Sequence, residues 1–368
     1  MLTHPLETLE KYVNQPSGSS DTADVAKLAH LIADDLKSLG MEVELHQGPQ
    51  SGPTITASIG RGDRQLMLMG HMDTVFPHQQ AQPFLMLEDG FARGSGVCDM
   101  KGGLVVMLYA IKNVLPLLDL AHHRIALVIN PDEEVGSIDS HSLILETAKA
   151  SFAALSFEPC GASGRLTCAR KGVTMLHLTC QGVSGHAGSA YKDSASAIQA
   201  LCAYITRLYT LRDDIRDISF NAGIIQGGTG ANVVAEYASC DCEFRYFDEA
   251  LRVPLMDKIR EICSEPVVKG VTASVTFGSP HPAIDLTPKS QILLDMAMEI
   301  AMAMGTPMYY ERTGGAGDIA IAGQAGIGVL DGLGLRGDGV HTTAERADVS
   351  NIEQKIAFAA RMIESLLN

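Results

Sequence analysis

The chain has no Cys-x-x-Cys pair, no apolar run near the roughly 18 residues that a membrane span needs, and few cations for its length. Each absence excludes something. Without paired cysteines there is no basis for a closed, Cys-rich structural zinc site. The eight cysteines (Cys98, Cys160, Cys168, Cys180, Cys202, Cys240, Cys242 and Cys263) are scattered, mostly inside apolar stretches. They read as reduced core thiols of a cytoplasmic protein rather than a disulfide framework. Cys240 and Cys242 are expected to point to opposite faces of a strand. The lack of a long apolar run predicts no membrane partner, and Met1 to Tyr12 is polar and charged, without a signal-peptide core. Lys and Arg number 28 against 43 Asp and Glu, a formal charge of -15. That leaves no basic face to meet phosphates, so no nucleic-acid partner is expected. There is no internal repeat and no low-complexity tract.

What is present is ample for a packed α/β protein. The 368 residues suffice for two domains, the apolar fraction is 46%, and 36 glycines fit a chain rich in tight turns. Apolar spacing predicts a helix over 22–39, with Gly40 as its stop, then strands over 41–45, 54–59 and 65–69. A buried helix over 104–115 and a strand over 125–129 follow. This alternation predicts a largely parallel sheet covered on both faces. From about residue 173 the order becomes strand (174–180), helix (195–209), two strands (218–225, 235–246), helix (254–263) and strand (272–277), a ferredoxin-like α+β unit inserted in the first domain. The α/β pattern returns with helices over 290–304 and 317–323, a strand over 326–331, and a helix over 351–368 opened by the capping box Ser350-x-x-Glu353. The domains are therefore expected at 1–172, 173–283 and 284–368, the first and last forming one body.

Chemistry-bearing residues gather at the loop ends of the α/β part. Gly70-His71-Met72-Asp73-Thr74 closes an apolar strand, and a His-x-Asp pair there shares one side. Asp99 lies in the glycine-rich stretch Gly94 to Gly103, Glu133 and Glu134 in an acidic turn, Glu158 before Pro159, and His341 after another glycine-rich stretch. Singly, these are helix caps, solvated carboxylates and turn residues. Together, two histidines and several carboxylates at strand ends suit Zn²⁺, or Mn²⁺ or Co²⁺. Two such ions about 3.5–4 Å apart activate a shared water and polarise a carbonyl.

On these residues the chain resembles the M20 metallopeptidases, in the glutamate carboxypeptidase branch. The matching segments are Gly70 to Pro77, Gly94 to Gly103, Pro131 to Gly136, Gly182 to Gly188 and Gly337 to Ala347, in order along essentially the whole chain. The resemblance implies a zinc-peptidase-type catalytic domain and makes the inserted unit a lid and dimerisation domain. It makes Asp99 the carboxylate bridging two metal ions, with His71 and Glu158 completing one site and Glu134 and His341 the other. Glu133 is then the general base acting on a metal-bridging hydroxide, and Asp73 orients His71. A cis peptide is expected at Asp99–Met100. His186 matches the histidine that stabilises the oxyanion, in many members across a dimer. Asn232 and Arg245 match residues that bind the substrate carboxylate, and Arg312 lies in a matching segment that lines the catalytic-domain side of the cleft. A guanidinium fork suits both arginines to binding that carboxylate.

The implied function is hydrolysis of an amide beside a free carboxylate, on a small peptide or N-acyl amino acid, releasing a C-terminal glutamate or similar residue. A dipeptidase or N-acyl-amino-acid deacylase is the alternative, and a catalytically silent metal-binding scaffold a third reading. Three departures bear on substrate. Gly315-Ala316-Gly317-Asp318 stands where members usually carry Gly-Gly-Thr-Asp, His281 stands where this branch tends to carry Arg, and Asn232 is followed by Val-Val-Ala without the usual proline.

Overall fold

The computed structural model describes residue 2 and residues 4–162, 164–306 and 308–368. The chain divides into two compact units. One comprises Met1–Ala169, Leu286–Thr313 and Gly317–Asn368, the other Arg170–Asp285 with Gly314–Ala316.

The first unit is built on a six-stranded sheet, ordered Glu42–Gln47, Pro53–Gly60, His123–Asn130, Arg64–His71, Ala153–Ser156 and Gly328–Leu330. Arg64–His71 runs parallel to both of its neighbours, and Ala153–Ser156 parallel to Gly328–Leu330. The other two pairings, Glu42–Gln47 with Pro53–Gly60 and Pro53–Gly60 with His123–Asn130, are antiparallel. Three of the five pairings are thus parallel, in line with the largely parallel sheet expected, and the short polar turn near Gly48–Gly52 makes the first antiparallel pair a hairpin. The central strands are continuous apolar runs. Leu66 and Leu68 are fully buried, each worth about 1.5–3 kcal/mol relative to exposure. Helix Thr22–Ser38 lays Val25, Leu28, Ala29, Ile32 and Leu36 into the core on one stripe.

Helix Lys101–Val114 is buried on nearly every side, as the apolar run Leu104 to Ile111 requires. At Gly103 a Cβ would stand 1.8 Å from the Phe157 carbonyl oxygen, so only glycine lets the helix approach that strand end. The N-cap position of the last helix, Ile352–Leu367, is Asn351, not Ser350, and the expected box does not form. The Ser350 hydroxyl donates to Asp348 Oδ1 at 2.5 Å instead. Helices Pro5–Val13 and His141–Lys149 were not anticipated.

The second unit is a four-stranded antiparallel sheet, ordered Ser219–Gly227, Tyr237–Tyr246, Gly172–Gln181 and Thr272–Phe277, with helices Ala197–Leu208 and Arg252–Ser264. In chain order this is 2-3-1-4, the split βαβ arrangement of ferredoxin-like units. Its core includes Leu178, Leu201, Tyr204, Phe244 and Cys180. Cys240 and Cys242 do not diverge. Residues two apart on a strand share a face, and their sulfurs lie 3.3 Å apart inside the core. All eight cysteines are free thiols. Among the described residues, no helix is long and apolar enough to cross a membrane.

Candidate metal centre

The strand Arg64–His71 ends in the buried side chain of His71, which is 1% exposed. Its Nε2 lies 3.2 Å from Asp99 Oδ1 and 3.5 Å from Glu158 Oε1. On the far side of the same carboxylate, Asp99 Oδ2 lies 3.4 Å from His341 Nε2, which is 3.1 Å from Glu134 Oε2. The two oxygens of Asp99 therefore face two different imidazoles. These atoms form two three-residue groups, His71–Asp99–Glu158 and Asp99–Glu134–His341, sharing Asp99. Around a tetrahedral ion with bonds near 2.0–2.1 Å, neighbouring ligand atoms stand about 3.3 Å apart. The observed separations match that spacing, and the mixed imidazole and carboxylate donors suit a divalent cation.

Local structure explains why these atoms converge. Asp99 precedes a cis peptide to Met100, the geometry the resemblance implied, at the entrance to helix Lys101–Val114. Glu133 and Glu134 lie in a 3₁₀ turn, Glu133–Val135, closed by Gly136 at φ 94°, a left-handed conformation that glycine adopts without strain. Glu158 follows strand Ala153–Ser156, where Phe157 N donates to Met69 O at 3.1 Å. His341 sits at φ 62°, a left-handed conformation costing a non-glycine residue roughly 1–2 kcal/mol.

One carboxylate organises much of this. Asp73 is wholly buried and stands 3.3 Å from His71 Nδ1. It also accepts the Ser19 hydroxyl at 2.7 Å and the backbone N–H groups of Glu133 and Glu134 at 3.2 Å each. It thus ties the histidine to the acidic turn. A second network supports the turn from behind. Asp318 accepts from Asn130 Nδ2 at 2.6 Å and from Ser137 Oγ at 2.5 Å, while Asp132 accepts from Ser140 Oγ at 2.6 Å. A third carboxylate, Glu345, accepts from the backbone N–H groups of Gly96, Cys98 and Asp99 at 2.9–3.0 Å.

Crowding sets the protonation of the centre. Burial pushes the Glu133 carboxyl well above its ordinary value, with Glu158, Asp318 and Glu134 adding repulsion against the pull of His71. Burial likewise raises Glu134. Burial works against Asp99, yet hydrogen bonds from His341 and His71 hold its carboxyl low. Hydrogen bonds to Asp99 and Glu134 push His341 up to about 10. For His71, burial opposes charge, but Glu158, Asp73 and Asp99 outweigh it and hold the proton well above the usual imidazole range. The protein stands its imidazoles as proton-holding counter-charges where cations would neutralise the same carboxylates.

The other expected site residues fall elsewhere. Arg312 is exposed on strand Tyr310–Thr313 of the first unit. His186, Asn232 and Arg245 belong to the second unit. There His186 pairs with Val233, and Ala187 N donates to Asn232 O at 2.9 Å. Arg245 is already engaged: Nε and Nη2 grip the Glu243 carboxylate at 2.8 and 3.0 Å, and Nη1 donates to Gly314 O at 2.9 Å. Sequence reasoning named the six residues that crowd the centre and Asp73 beside them. It missed Ser19, Asn130, Ser137, Asp318 and Glu345. Of these, Glu345 lies in a matching segment, and Asp318 in the Gly315-Ala316-Gly317-Asp318 stretch that departs from the usual pattern.

Comparison with known proteins agrees with this geometry. The model of peptidase family M20/M25/M40 matches residues 67–365. The chain is 31% identical to carboxypeptidase G2 of Pseudomonas sp. (strain RS-16), covering 98% of this chain and 89% of that one. It is 26% identical to the succinyl-diaminopimelate desuccinylase of Hydrogenovibrio crunogenus, over 92% and 93% of the two chains. An M20 family metallo-carboxypeptidase from Sulfolobus solfataricus shares the fold at a TM-score of 0.81 and 15% identity, covering 99% of both chains. An aminopeptidase from Bacillus cereus does so at 0.80 and 21%, covering 99% of this chain and 98% of that one. A match across most of the chain, with paired imidazole and carboxylate groups sharing one aspartate, places this chain in peptidase family M20/M25/M40, a family of hydrolases.

Proposed function

We propose that the chain is a dinuclear metal-dependent amidohydrolase that cleaves an amide or peptide bond next to a free carboxylate. Its product is a C-terminal glutamate or a similar amino acid. The observation that carries this reading is Asp99, whose two oxygens each face a separate imidazole and carboxylate group. His71, Asp99 and Glu158 would hold one Zn²⁺, and Asp99, Glu134 and His341 a second, with Mn²⁺ or Co²⁺ as substitutes. When bound, the pair would polarise the scissile carbonyl and make a water acidic at neutral pH.

The chain's own residues do the rest. Glu133 takes the proton of the attacking water and returns it to the leaving amine. A half-buried carboxyl with raised proton affinity suits that shuttle. Asp73 keeps the His71 ring in place through Nδ1. His186 Nδ1 accepts from the N–H groups of Gly188 and Ser189 at 3.1 and 3.3 Å, so the neutral ring carries its proton on Nε2. That N–H is a donor for the developing oxyanion. Asn232, Arg245 and Arg312 recognise the substrate carboxylate, with Arg245 sharing its guanidinium between substrate and Glu243.

The similarity to carboxypeptidase G2 supports glutamate as product. His281 in place of an arginine, and the similarity to desuccinylases, favour the second reading, an N-acyl-amino-acid deacylase or dipeptidase of the same chemistry. A silent scaffold is disfavoured because every ligand and the base are retained. The protein is read as cytoplasmic. A homodimer through the second unit is supported by its edge strand Ser219–Gly227, where Ile224 and Ile225 are exposed. The test is amino-acid release from a panel of N-acyl amino acids and dipeptides by zinc-loaded protein. Glutamate release from N-acyl-glutamates is the expected result. Release of other residues moves the substrate, and no release from any member contradicts the function.

A further inference from the structure

Glu345 is buried, and its carboxylate spends both oxygens on backbone. Oε1 accepts from Cys98 N at 2.9 Å and Asp99 N at 3.0 Å, and Oε2 accepts from Gly96 N at 2.9 Å. Three amides converging on one carboxyl group form a cradle that takes up both of its oxygens as acceptors. The cradle is the loop that presents Asp99. The carboxylate itself is borne by the loop that presents His341, four residues earlier. That second loop is tightly wound: Thr342 N and Oγ1 both donate to Gly339 O, at 3.1 and 2.7 Å, and Glu345 N donates to Thr342 O at 3.1 Å. Glu345 therefore pins the His341 loop to the Asp99 loop across 246 residues of sequence. His71 and Glu158 have independent anchors, a parallel sheet strand and the Phe157 N to Met69 O hydrogen bond.

We propose that Glu345 is a positioning residue that sets occupancy of the second cation position, formed by Asp99, Glu134 and His341. It does so by fixing the His341 loop against Asp99. This rests on the dinuclear reading above. Asp99 is shared by both positions, but His71 and Glu158 keep their own anchors when the clamp is lost, so the larger loss falls on the position that depends on His341.

The test is zinc uptake by metal-stripped wild type, Glu345→Gln and Glu345→Asp, measured by equilibrium dialysis at buffered free Zn²⁺ with elemental analysis. Near-UV circular dichroism of the stripped proteins is recorded alongside. Glutamine sets an amide N–H₂ against one of the three donors, and aspartate withdraws the carboxylate by one methylene. Wild type should take two equivalents. The variants should keep the native spectrum and bind the first ion as wild type does, with affinity for the second reduced about 10–100-fold. The same second-ion affinity as wild type in both variants overturns the proposal. So does equal weakening of both ions, or loss of the native spectrum in both variants, which would make Glu345 a structural strut. A wild type that takes fewer than two ions overturns the dinuclear reading itself, and this assignment with it.

Discussion

Glu133 is the residue on which the chemistry turns. It belongs to neither three-residue ligand group that meets at Asp99, yet it is half-buried beside them and holds its proton well above the usual carboxylate range. Glu133→Ala is expected to retain two metal equivalents and to lose about 10²–10⁴-fold in kcat, the usual weight of a general base. Elemental analysis with steady-state kinetics checks this, and near-normal turnover would remove Glu133 from the role. The imidazoles give a pH signature. His341 is pushed up to about 10 by Asp99 and Glu134, so below that pH a cation must displace its proton. Metal affinity should therefore rise with pH, by about tenfold per pH unit for each proton displaced. Zinc titration against a competing chelator at pH 6, 7 and 8 reads this directly, and a flat profile contradicts it. These groups were legible in the sequence because strand ends and glycine-rich turns advertise them. Ser19 was not, because its role is fixed by Asp73, 54 residues away, and nothing in its own neighbourhood announces the contact.

Among the elements, helix Lys101–Val114 shows how packing sets the site. Gly103 lets it seat against Phe157, one residue before Glu158. Gly103→Ala should push the helix off that strand end, lowering stability by about 1–3 kcal/mol and reducing metal content, as urea unfolding and elemental analysis would show. Wild-type stability and metal content would contradict this account of the junction. The same helix was legible because the apolar run Leu104 to Ile111, stopped shortly after by Pro116, has few other readings. Helix His141–Lys149 was not, since it is only nine residues long and buries only Ile144 and Ala148. The Ser350 box failed for a related reason: Asp348, outside the local pattern, competes for the same hydroxyl. The shared face of Cys240 and Cys242 follows from strand alternation alone, so that expectation was wrong on local grounds.

For the whole molecule, the inserted antiparallel unit was visible as a change in the order of strands and helices, and its 2-3-1-4 topology follows that order. The mixed character of the larger sheet was less visible, because strand direction depends on connections rather than on apolar pattern. Substrate preference is least legible of all. It rests on a few polar side chains such as Arg245 and His281, whose roles depend on partners like Glu243 rather than on periodicity. The central claim is the two-ion centre shared through Asp99. The most direct measurement is elemental analysis of wild type and Asp99→Ala after dialysis against buffered Zn²⁺, with hydrolysis of N-acyl amino acids assayed on the same samples. The account predicts two equivalents and turnover for wild type, with both lost together in Asp99→Ala. A wild type that hydrolyses these substrates without bound metal, or an Asp99→Ala protein that keeps two ions, would contradict it.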